Sequence, residues 1–136
     1  TCALPILEID AFFMNEDRHT NNIAVIYNEK TQKYELSPFF DQGLCMFADI
    51  NQDYPIDQSL EYCLEKIEAK PFSSDFDIQL DAAEELYGIQ IGFQFTFKDI
   101  QIYLQKNSEN YPREVIRRVE QLLRRQMRKY GYLMKK

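Results

Sequence analysis

Two short apolar-rich runs, Ile23-Ala24-Val25-Ile26-Tyr27 and Tyr34-Glu35-Leu36-Ser37-Pro38, flank the polar stretch Asn28-Glu29-Lys30-Thr31-Gln32-Lys33. This pattern predicts a β-hairpin whose turn is longer than the tightest kind. A hairpin in register also brings the residues before its first strand beside those after its second. Here the flanks are Asn15-Glu16-Asp17-Arg18-His19-Thr20-Asn21-Asn22 and Phe39-Phe40-Asp41-Gln42-Gly43. Asp41 follows Pro38 closely, and at about 3.3–3.6 Å of reach per residue its carboxylate is expected within about 10 Å of Asn22. An amide oxygen and a carboxylate that close suit one hard cation such as Mg²⁺, with water and phosphate oxygens completing its shell.

Asp17 precedes Asn22 by the spacing of the protein-kinase catalytic loop, in which the Asp accepts the proton of the attacking hydroxyl and the Asn holds magnesium. Asp41-Gln42-Gly43 fits the second metal-binding aspartate of such enzymes. Together, Asp17-Arg18-His19-Thr20-Asn21-Asn22 and Ser37-Pro38-Phe39-Phe40-Asp41-Gln42-Gly43 resemble the C-terminal lobe of HipA-like serine/threonine kinases. The pattern of that family is Asp-x-His-x-x-Asn followed by Ala/Ser-Pro-x-x-Asp-x-Gly, and the resemblance covers about residues 5–50. It implies a kinase-like lobe with the hairpin between its two motifs, ATP as phosphoryl donor, and a protein serine or threonine as acceptor. Asp17 is implied as catalytic base, His19 as a catalytic-loop residue that shapes the loop, and Asn22 and Asp41 as the Mg²⁺ ligands that seat the nucleotide. Such kinases carry a phosphate-gripping loop and an ATP-binding lysine in an upstream lobe, and nothing here precedes Thr1. The chain is therefore expected to be the catalytic half of an enzyme, with the missing N-terminal lobe as its partner and little or no kinase activity alone.

With 136 residues, 45% hydrophobic and 14% aromatic, the chain is expected to form a single folded domain over 1–136, α+β and mainly helical. Cys2, Cys45 and Cys63 are odd in number and widely spaced, which suggests free thiols in a reducing cytoplasm rather than a zinc site or disulfide framework. No apolar run approaches the roughly 18–20 residues of a membrane span, and no signal-peptide pattern opens the chain. Net charge is −6, which argues against nucleic acid as a partner, yet it is unevenly distributed. Residues 1–100 carry net −13 and residues 101–136 net +7, so the basic end is expected to meet either the acidic body or an acidic partner.

The spacing predicts a helix over 4–14 that feeds the loop at Asn15 and buries Phe12, Phe13 and Met14. Leu44–Ala48 is apolar enough to pack beneath the site, whereas Asp49 and Asp53 read as solvated loop acids. Residues 56–69 fit a short helix or an irregular segment, ended by Pro71. Ser73 or Ser74 is expected to cap a helix over 75–87 with the stripe Phe76, Leu80, Ala83 and Tyr87, which Gly88 stops. Residues 89–97 suggest a short extended segment, and Thr96 an N-cap for 97–105 with Ile100 and Leu104 inward. The last helix, Pro112 to about Tyr130, sets Val115, Ile116, Val119, Leu122, Leu123, Met127 and Tyr130 on one arc, with Arg117, Arg118, Arg124, Arg125, Arg128 and Lys129 opposite.

Two other functions compete with phosphoryl transfer. One is a non-catalytic binding module that docks through the basic C-terminal helix. The other is a metal-dependent hydrolase built on Asp17, His19 and Asp41, which the single histidine disfavours.

Overall fold

The computed structural model describes residues 4–135 and is α+β and mainly helical, as expected. Its elements run α1 (Leu4–Phe13), β1 (Val25–Asn28), β2 (Lys33–Leu36), α2 (Leu60–Lys66), α3 (Phe76–Tyr87), α4 (Phe97–Lys106) and α5 (Arg113–Lys129). The described residues divide into two compact units, one within Thr1–Cys45 and Glu68–Gln90, the other within Met46–Ile67 and Ile91–Lys136.

In the first unit α1 packs on α3, and Ile6, Leu7 and Ala83 form a buried cluster against which Ile23 leans. The helix ends one residue before its expected limit because Met14 turns into the left-handed region at φ 54°. The Asn15 amide then donates back to the Asp10 carbonyl at 3.0 Å, the six-to-one closure that satisfies a helix C-terminus. Phe12 and Met14 are buried as expected, while Phe13 is half-buried.

The hairpin forms in the expected register, with Val25 opposite Leu36 and Asn28 opposite Lys33. One more bond, Ser37 amide to Ala24 carbonyl at 3.0 Å, carries the pairing toward Asn22 and Pro38. The turn is held by Asn28 Oδ1, which accepts from the Lys30 and Thr31 amides. Its alternation conceals no buried face: Val25 is 56% exposed and Tyr34 63%, and the Tyr27 and Tyr34 rings lean on each other at 5.0 Å between centroids.

The N-cap of α3 is Asp75 rather than Ser73 or Ser74. Its Oδ1 accepts from the amides of Asp77 at 2.8 Å and Ile78 at 3.0 Å, and a carboxylate there also meets the positive end of the helix dipole. Ser73 Oγ instead accepts from the Asp75 amide. Asp75→Ala is expected to cost about 1 kcal/mol in urea denaturation and Ser74→Ala to change the midpoint little. Gly88 ends the helix at φ 74°, a conformation suited to glycine. Phe76, Leu80 and Ala83 are buried as expected, but Tyr87 at the last turn is exposed and Gln79 takes its place inside.

In the second unit Ser59 caps α2, and Thr96 with Asp99 forms a complete capping box on α4. The backbone amide and then the hydroxyl of Thr96 hold the Asp99 carboxyl below its ordinary range. Leu104, Leu122, Leu123 and Tyr130 are buried as expected, and Ile100 is half-buried. Within residues 89–97 the pairing is a single parallel bridge, Phe93 with Met134.

Arg118 is not part of a solvated basic face. It stands one turn before Leu122, at the margin of the apolar arc, and is buried with its guanidinium donating to the carbonyls of Pro55 at 2.8 Å, Tyr54 at 2.9 Å and Phe47 at 3.3 Å. The basic end meets its own unit through neutral carbonyls here, while Arg124 pairs with Glu120 and stacks over Phe97. Phe47 packs beside Tyr54 and beneath Arg118 in the second unit, while Leu44 in the first unit is exposed. No helix of the described residues is long and apolar enough to cross a membrane.

Candidate active site

The segment from Asn15 to Asn22 is organised around a charged residue inside it. Arg18 is 0% exposed, and its Nε and Nη2 grip the two carboxylate oxygens of Asp10 at 2.8 and 3.1 Å. This two-pronged geometry is the strongest a guanidinium makes with a carboxylate. Burial pushes the Asp10 carboxyl above its ordinary range, with Arg18 and then Asn15 pulling it back. The remaining guanidinium nitrogen, Nη1, donates to the Asn22 carbonyl at 3.1 Å and to the Phe40 carbonyl at 3.0 Å. Both carbonyl oxygens lie against one nitrogen, so they are at most about 6 Å apart. Arg18 thus clips the end of one motif to the residue before Asp41, where the hairpin alone only brings the flanks into the same neighbourhood.

Asn15 makes a second tie. Its Nδ2 donates to Asp10 Oδ1 at 3.1 Å and to Gln42 Oε1 at 3.3 Å, while its Oδ1 accepts from the Asp17 amide at 3.1 Å. The Glu16 amide donates to the Leu44 carbonyl at 3.1 Å. Cys45, beside Gln42, has its thiol pushed up to about 12 by burial and by the nearby Asp10 charge, which keeps it a protonated, unreactive neighbour. Burial likewise raises the Cys63 thiol, and Cys2 lies outside the described residues.

The four residues singled out from the sequence occupy different environments. Asn22 is buried in a short 3-10 turn, Thr20–Asn22, and its Nδ2 faces the Asp17 carbonyl at 3.4 Å and His19 Nε2 at 3.1 Å. A carbonyl can only accept, so the amide nitrogen faces inward and Oδ1 is left with no hydrogen bond among the described residues. His19 thus helps set the orientation of the Asn22 amide. Asp41 is exposed, makes no side-chain hydrogen bond among the described residues, and sits at φ 57°, a strained conformation for a residue with a Cβ. The Asp17 carboxylate is partly exposed, and its Oδ1 meets Lys70 Nζ at 3.3 Å.

The unengaged oxygens of Asn22 and Asp41, on backbone joined through Arg18, are the right donor type for Mg²⁺ when phosphate supplies the rest of the shell. Among the described residues no group of three His, Cys, Asp or Glu could hold a metal without such help. Asp49 and Asp53 are accounted for otherwise: Asp49 Oδ1 accepts from the Gln52 amide, and Asp53 pairs with Lys66 at 3.3 Å.

Sequence reasoning missed Arg18 and Lys70. The first carried one faint signal, two acids, Glu8 and Asp10, among the otherwise apolar letters of α1, which call for buried partners. The second carried none, because only the tertiary fold brings residue 70 to residue 17. Comparison with protein-family models, curated proteins and solved structures yields no match for this chain.

Proposed function

We propose that this chain is the catalytic C-terminal lobe of an ATP- and Mg²⁺-dependent protein serine/threonine kinase of the HipA-like type. The observation that carries this reading is the double grip of Arg18 Nη1 on the carbonyls of Asn22 and Phe40, which supports convergence of the two motifs on one ion. Phosphoryl transfer asks a protein for positioning and charge neutralisation rather than covalent chemistry. Asn22 and Asp41 would hold Mg²⁺, whose contribution when bound is to neutralise phosphate charge. Lys70 occupies Asp17 Oδ1, so Oδ2 is the oxygen left to receive a proton. The acceptor hydroxyl passes its proton to that oxygen as its own oxygen bonds to the γ-phosphorus. The bond from phosphorus to the β–γ bridging oxygen breaks, and ADP leaves with that electron pair.

The test uses Mn²⁺ as a paramagnetic stand-in, added with ADP to the full chain while backbone amide resonances are followed. The expected result is that Asn22 and Asp41 broaden first and Tyr87, at the far end of α3, stays sharp. Broadening spread evenly over the exposed acids, with no preference for these two residues, would falsify the reading.

A further inference from the structure

Lys70 comes to the site from far along the chain, and the loop that carries it is secured from below. Gln79 on α3 is 5% exposed and commits its whole amide to that loop: Oε1 accepts from the Phe72 amide at 2.9 Å and the Ser73 amide at 3.2 Å, and Nε2 donates to the Lys70 carbonyl at 3.0 Å. The Ala69 amide adds a bond to the Ser74 carbonyl at 2.8 Å. From this base the Lys70 side chain reaches Asp17 Oδ1 at 3.3 Å while remaining 54% exposed. Asp17 is itself fixed by Asn15 at its amide and by Asn22 at its carbonyl.

The three bonds of Gln79 fix the loop, but the ion pair it presents is so open to water that it contributes little to folding. The chemistry beside Asp17 gives the pairing a use. An ammonium group has three N–H donors, and Lys70 uses one on Asp17, which leaves two directed at solvent next to the general base. A hydroxyl donating to the carboxylate lies about 2.7 Å from it, and the phosphorus it attacks lies about 3–3.5 Å further on. The charge that moves during transfer therefore develops within one side-chain length of the ammonium.

We propose that Lys70 is a second cation of the site, which pairs with Asp17 at rest and donates to the oxygens of the γ-phosphoryl group when nucleotide is bound. This assignment rests on the kinase reading, and its test separates the two. The full chain is treated with a limiting amount of an amine-acetylating reagent alone, with Mg·ADP, and with Mg²⁺ and the imido analogue of ATP, and acetylation is read residue by residue by mass spectrometry with Lys30 as reference. Mn²⁺ broadening at Asn22 and Asp41 that requires added nucleotide reports nucleotide binding in parallel. The expected result is that the imido analogue slows acetylation of Lys70 by about 10-fold while ADP, which lacks the γ-phosphoryl group, changes it less than about 2-fold. Equal protection by both nucleotides, or by neither while Asn22 and Asp41 respond, overturns the role of Lys70 and leaves the kinase reading standing. Absence of any response at Asn22 and Asp41 overturns both. In the assembled kinase, Lys70→Met is expected to lower kcat by about 30–100-fold with KM for ATP nearly constant, and Lys70→Arg to restore most of it. An unchanged kcat in Lys70→Met also overturns the assignment.

Discussion

Replacing Arg18 by methionine is expected to destabilise the protein by about 3–5 kcal/mol, a large part of the total stability of a domain this size. The loss comes from what the arginine leaves behind. Asp10 is 1% exposed and would remain inside with only Asn15 as a side-chain partner, and the Asn22 and Phe40 carbonyls would each lose a charged donor. The effect has a definite pH dependence. Burial already holds the Asp10 carboxyl above its ordinary value of 3.8, so the folded state binds this proton more tightly than the unfolded chain. That contribution to stability is fully present below 3.8 and is lost as pH rises through the raised folded value. Removing the arginine takes away an interaction that opposed the shift. The deficit of the variant, measured by urea denaturation across pH, is therefore smallest in acid and grows toward neutrality.

A double variant, Asp10→Leu with Arg18→Met, separates folding from site assembly. An apolar pair of similar volume is expected to recover much of the lost stability, because a buried ion pair contributes little over well-packed hydrocarbon. The clip between Asn22 and Phe40 stays broken, so the Mn²⁺ response at Asn22 and Asp41 is expected to remain lost in a protein that folds well. A double variant that regained both would show that the hairpin alone aligns the two motifs.

What was legible from sequence and what was not follow a physical divide. The hairpin turn and register, the Thr96 cap, the stop at Gly88 and the inner positions Leu122, Leu123 and Tyr130 of the α5 arc are local, set by neighbours within a few positions, and they emerge as read. Asp75 supplanted the two serines because several good caps compete within three positions and the one in phase with the helix prevails. Arg18 and Arg118 were harder to read for another reason: a charged letter predicts solvent unless something inside meets it, and the partners are backbone carbonyls or a helix acid, which leave only a faint trace in composition. In the candidate site, the pairing of Asn22 with the segment after β2 was legible through the hairpin. The approach of Lys70 was not, because it depends on where α3 packs and which loop Gln79 holds. The same limit explains why Tyr87 was misplaced, since periodicity gives a stripe without saying how far along the helix its neighbour extends.

On the proposed kinase reading, Asp41→Gly is expected to leave the fold as stable as before, or more stable by up to about 1 kcal/mol, while lowering phosphoryl transfer by the assembled kinase about 1,000-fold or more. Glycine adopts φ 57° without the steric cost that Asp41 carries there, and the aspartate side chain has no hydrogen bond to lose among the described residues. Asp41→Ala keeps the Cβ and hence the strained backbone, so it should match the glycine variant in activity and fall below it in stability. Ordinary structural aspartates behave the other way, since their removal costs stability through a lost cap or ion pair, as expected for Asp75. At Asp41, unlike Met14, whose φ of 54° closes a helix end, a left-handed backbone and a side chain without a hydrogen bond among the described residues fit the proposed ligand supplied from outside. Urea denaturation and Mn²⁺ broadening on the two variants are sufficient to decide. A glycine variant less stable than the parent, or one that keeps the broadening at Asn22, would remove Asp41 from the metal site and leave Asn22 without its proposed co-ligand.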